Sequence, residues 1–148
     1  MNKSFVAAIL FALITGLAVN ANADLDGFLS NLNIQARADM NGYSVKLGAQ
    51  FGVPLPQVQA IIRNVEMPAD AFMCLQLGQW SHSQPEMVVN TYKGNKGKGW
   101  GVIAKQLGIK PGSAEFHALK RGDLSFTGIP AGAASQGKGK GKGKGHNK

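Results

Sequence analysis

From Ser135 onward the chain reads SQGKGKGKGKGHNK, a segment in which no residue can enter a core. Glycine maximises backbone freedom and the lysines repel one another, so disorder is expected there. Lys138, Lys140, Lys142, Lys144 and Lys148 place five positive charges on this tail. Thr127 to Ala134 is small and contains Gly and Pro, as a linker does, so residues 127–148 read as a Gly/Lys-rich flexible linker and tail. The other end is also withdrawn from the fold. Lys3 precedes an apolar run, Phe5 to Val19, broken only by Thr15 and Gly16, and Ala21-Asn22-Ala23 is a small-x-small site. Residues 1–23 therefore read as a secretory signal peptide cleaved after Ala23. The apolar run falls short of the ~20 residues that a membrane span needs. No later run could span either, and the residue directly after the expected cleavage site is Asp24, not a cysteine that could carry a lipid. The expectation is an exported protein, periplasmic or secreted, with no transmembrane helix once mature.

Residues 24–126 remain, enough for one modest core. The 148-residue chain is 44% hydrophobic, which excludes global disorder, and its one cysteine, Cys74, excludes an intrachain disulfide framework. The overall charge of +8 is unevenly placed. Residues 24–86 carry a net −3 and residues 87–134 a net +5.

The pattern predicts a mainly α, single small domain of about five short helices, preceded by one ambiguous stretch. In that stretch Leu32, Ile34, Ala36, Ala38 and Met40 alternate with polar residues, Asn41-Gly42 follows, and Tyr43, Val45, Leu47 and Ala49 alternate again. This favours a β-hairpin over residues 32–49. The rival reading places Tyr43, Leu47 and Phe51 on one helical face ending at Gly52. Further on, Pro54 and Pro56 suit a first helical turn, and Val58, Ile61, Ile62 and Val65 form an apolar face. Pro68 and Asp70 open the next helix, whose stripe is Ala69, Phe72, Met73, Leu77 and Trp80. Ser83-Gln-Pro-Glu86 reads as a capping box before Val88, Val89 and Tyr92. After the Gly-rich Lys93–Gly99, a short helix runs from Trp100 past Ile103 to Leu107, with Gly108 ending it. Ser113 caps a last helix through Phe116 and Leu119 to Gly122.

Residues 97–120, GKGWGVIAKQLGIKPGSAEFHALK, resemble a GWGxIAxxLGIKPGSxxFHxLK motif of an uncharacterised family of small secreted bacterial proteins. Trp100, Ile103, Leu107, Pro111, Phe116 and His117 are among the matching positions, and Pro68 to Gly78 and Tyr92 extend the likeness. The resemblance implies export and a mainly helical fold. It implies no catalytic role.

Gly94 and Gly99 have Walker spacing, but Trp100 stands where the lysine belongs, and Val102 breaks a Rossmann fingerprint. The I-A-x-x-L-G-I string resembles a helix-turn-helix, yet Ser113 to Lys120 is short for a recognition helix and export removes the chain from chromosomal DNA. His117 with Glu115 or Asp123 could form an acid–base pair, but no nucleophile accompanies it, so no enzyme activity and no cofactor are expected. Trp80 and Trp100 suit core anchors, and Cys74 a small core residue.

What remains is a Gly-rich loop with lysines and a Trp, suited to holding an anion. The expected function is non-enzymatic binding of an anionic envelope or extracellular polymer, weak and salt-sensitive. Lys93, Lys96, Lys98, Trp100, Lys105 and Lys110 are the candidate contacts, helped by the tail lysines 138, 140, 142 and 144. The alternative is a periplasmic metal-handling protein using Cys74, His82 and His117.

Overall fold

The computed structural model describes residues 21–130, which form seven helices and no strand among them. These are α1 (Ala21–Ala38), α2 (Met40–Phe51), α3 (Leu55–Arg63), α4 (Pro68–Ser81), α5 (Pro85–Gly94), α6 (Trp100–Gln106) and α7 (Ala114–Arg121). The signal-peptide run through residue 20 and the Gly/Lys tail from residue 131 lie outside the described residues. No helix among the described residues is long and apolar enough to cross a membrane.

The mainly helical expectation holds, and the five helices expected after residue 53 are α3 to α7. The hairpin over 32–49 does not form. Those residues are the end of α1 and most of α2. The physical reason is local. Asp39 interrupts the helices and caps the second one, its Oδ1 accepting the Gly42 N–H at 2.8 Å. Asn41-Gly42 thus sits in a first helical turn, where a Cβ at residue 42 would collide with the Asp39 carboxylate. Burial follows the helical period: Leu32 and Ala36 are buried, as are Tyr43 and Leu47, while Ile34 and Val45 are half exposed.

A second correction concerns the start of α5. The Ser83–Glu86 capping box is not made, because Ser83 still belongs to the end of α4. Its N–H bonds the Gly78 carbonyl at 3.0 Å, and its hydroxyl pairs with the Ser81 hydroxyl at 2.9 Å. Gln84 takes the cap position, and the Glu86 carboxylate instead accepts from Gln57 Nε2 at 2.6 Å. Elsewhere the caps are as expected: Pro56 lies in the first turn of α3, Ser113 Oγ accepts the Phe116 N–H, and Gly122 closes α7 in the left-handed conformation; Gly52 closes α2 in the same way, as the rival helical reading had it.

Helix α4 is buried on all sides from Ala71 to Gly78, which makes it the axis of the domain. Helices α1, α2, α3 and α5 pack around it, and α7 packs on α1 and α6. Phe72 sits at the centre, with Phe28, Phe51 and Phe126 meeting it edge-on at ring-centroid distances of 5.2, 5.5 and 6.0 Å. Phe126 comes from a strap that follows α7. The buried Gln50 side chain holds this strap, donating to the Ser125 carbonyl at 2.8 Å and accepting from the Thr127 and Gly128 N–H groups. Packing therefore continues past residue 126, into the stretch expected to be a flexible linker.

The first and last helices meet at Gly122. A Cβ there would lie 2.6 Å from the Leu25 nitrogen, and its φ is +69°, so both space and conformation require glycine. This contact brings the start of α1 alongside α6 and α7.

Candidate functional site

Tyr92, near the end of α5, organises the loop that carries the candidate lysines. Its ring stacks on Trp100, with centroids 5.5 Å apart and planes 20° from parallel. Its hydroxyl donates to Asp70 Oδ2 at 2.7 Å and accepts the Glu66 N–H at 3.1 Å. Asp70 Oδ2 also accepts the Met67 N–H at 3.1 Å. Burial raises the Asp70 carboxyl above its ordinary value, against the opposing effect of these two donors. Burial likewise pushes up the Tyr92 phenol. On the other side of the loop, Asn95 and Gln106 exchange two side-chain hydrogen bonds, at 2.7 and 2.9 Å, tying the loop to the end of α6. The loop between these anchors turns through positive φ at Gly97 and Gly99.

The six expected contacts divide into three environments. Lys93 and Lys96 point back to the α3–α4 connection: Lys93 Nζ donates to Asn64 Oδ1 at 2.6 Å, and Lys96 Nζ lies 3.0 Å from Glu66 Oε1. Lys98, Trp100 and Lys105 line a cleft of about 500 Å3 between α1, α6 and α7. Lys110 is exposed in the turn after α6 and is not among the residues that line it.

Lys120 adds a third lysine to the cleft lining, and Asp26 is the one acidic residue in it. Leu25, Val102, Phe116 and Leu119 contribute its apolar lining, beside polar surface of similar extent. Among the described residues, Lys98, Lys105 and Lys120 form no salt bridge; the two that exist are Lys96–Glu66 and Arg121–Asp123. Lys120 lies outside the six expected contacts, although a signal for it exists: Phe116 and Lys120 are four apart on α7 and share a face. No local signal links Leu25 or Asp26 to residues 98–105.

The alternative metal ligands are dispersed. Cys74 is fully buried in the middle of α4, and burial, with a smaller contribution from the Asp70 charge, pushes its thiol up to about 12. His82 ends α4, with a left-handed φ of 54°, and His117 is exposed on α7. No group of three or more His, Cys, Asp or Glu is placed to share a metal ion among the described residues. Of the acid–base candidates, Asp123 is taken by Arg121 Nε at 2.8 Å.

Compared with protein-family models, curated proteins and solved structures, the chain gives no match.

Proposed function

We propose that this is an exported, non-enzymatic protein that binds an anionic envelope or extracellular polymer through the lysine cleft, with the Gly/Lys tail adding further charge. The observation that carries this reading is the gathering of Lys98, Lys105 and Lys120 in one cleft against a single carboxylate, Asp26. Like charges that outnumber the one opposite charge beside them favour an anionic occupant. Lys93 and Lys96 already have partners in Asn64 and Glu66, so they contribute less than their place in the Gly-rich loop suggests. Attraction of this kind is screened over about 8 Å at physiological salt, so binding should weaken steeply as salt rises.

The test is retention of residues 24–148 on heparin and on phosphatidylglycerol vesicles across a salt gradient. The combined Lys98→Gln, Lys105→Gln and Lys120→Gln variant should elute at distinctly lower salt, and deletion of 135–148 should lower it further. Elution unchanged by both alterations refutes the reading.

A further inference from the structure

The cleft differs from a plain polycation surface in its wall. Beside Lys98, Lys105 and Lys120, the lining includes the apolar side chains of Leu25, Val102 and Phe116. A sulfated or phosphorylated polymer would satisfy the ammonium groups and leave this lining against water or hydrated ligand. A hydrocarbon segment would cover it. The volume of about 500 Å3 lies within the range of sites that enclose one small molecule. Trp100 offers one face to Tyr92 and contributes to the lining of the same cleft, so an aromatic surface adjoins the charged one.

We propose that the cleft takes a single amphiphilic anion, with a phosphate or carboxylate head on the three lysines and an alkyl segment along Leu25, Val102 and Phe116. This inference rests on the anion-binding reading above and narrows it from polymer charge to a monomeric, chain-bearing ligand. The three ammonium groups supply the charge complementarity, and the apolar wall supplies a preference for a chain over a bare ion.

The probes are octyl phosphate, inorganic phosphate and octyl glucoside, each below micelle formation. They are titrated into residues 24–148 by calorimetry, with Trp fluorescence as a second readout. Octyl phosphate should bind at least about tenfold more tightly than inorganic phosphate, because the phosphate lacks the buried methylenes. It should also bind at least about tenfold more tightly than octyl glucoside, which lacks the charge. Val102→Asn should lower octyl phosphate affinity while heparin elution stays at the wild-type salt; the wild-type comparison of probes decides the matter if that variant does not fold. Equal affinity for octyl phosphate and inorganic phosphate overturns the amphiphile proposal and leaves anion binding standing. Equal affinity for octyl phosphate and octyl glucoside overturns it from the other side. Binding to anionic vesicles without binding to monomeric octyl phosphate overturns it in favour of a membrane surface. Loss of heparin retention as well as octyl phosphate binding in the wild-type protein removes the anion-binding reading itself.

Discussion

Lys96 and Lys98 are separated by one glycine and end in different chemistry. Lys96 reaches Glu66 beside a knot in which Tyr92, Asp70 and the Met67 and Glu66 amides satisfy one another. Lys98 lines a cleft to which Lys105, Lys120 and one acidic residue, Asp26, also contribute. The knot has no buried donor or acceptor left over, and no buried side-chain polar atom among the described residues lacks a partner. It is an arrangement that holds the α3–α4 connection, α5 and Trp100 together. The cleft has charge in excess and a wall without a cover, an arrangement suited to a visitor. Sequence proximity alone does not separate a lysine that is ion-paired within the fold from one that is not.

That contrast can be broken at several points. The largest expected effect is on the knot. Asp70→Ala leaves the Tyr92 hydroxyl and Met67 N–H without their acceptor and should cost about 1–3 kcal/mol in urea unfolding. Heparin elution should stay where it was. Tyr92→Phe should cost about 1–2 kcal/mol by the same logic, since it orphans Asp70 and the Glu66 N–H. A shift in heparin elution as large as that of the lysine variant would show that knot and cleft are one unit. The combined glutamine variant of Lys98, Lys105 and Lys120 should do the converse, changing elution while moving stability by no more than about 0.5 kcal/mol.

The pH dependence sharpens the same comparison. Burial lifts the Asp70 carboxyl above 3.8, so the native state holds that proton more tightly than the unfolded chain. The contribution from Asp70 is then fully present below pH 3.8 and declines as pH rises through the raised folded value. Asp70→Asn, which keeps an acceptor oxygen, should flatten that part of a urea-midpoint profile against pH. The smallest effect belongs to Lys96→Gln. Its ion pair is exposed on both sides and should contribute about 0–1 kcal/mol, with little change in elution.

The sequence was most legible where proline and glycine punctuate it. Pro54 and Pro56, Pro68, Ser113 and Gly122 mark helix ends through backbone chemistry that needs no tertiary partner. Residues 32–49 were not legible, because the deciding contacts are four apart. Leu32 with Ala36, and Tyr43 with Leu47, fit a period of two as well as a helical turn. The exposure of Ile34, Ala38, Met40, Val45 and Ala49 and the burial of Ser44 and Gln50 distinguish the two, and these are tertiary facts. The site followed the same division. Lys98, Trp100 and Lys105 are visible in the Gly-rich loop and the helix after it, whereas Leu25 and Asp26 enter the cleft through packing between the ends of the chain.

The close approach at Gly122 has a bearing on when this domain can exist. The first helix meets its last partner across about a hundred residues of chain, and the cleft needs both. A ribosome delivers α1 long before α7, so the contact that seats Leu25 beside Gly122 is available only once nearly all of the domain has been made. A side chain at 122 would hold the two ends apart, and the last joint would stay open however well α4 is wrapped.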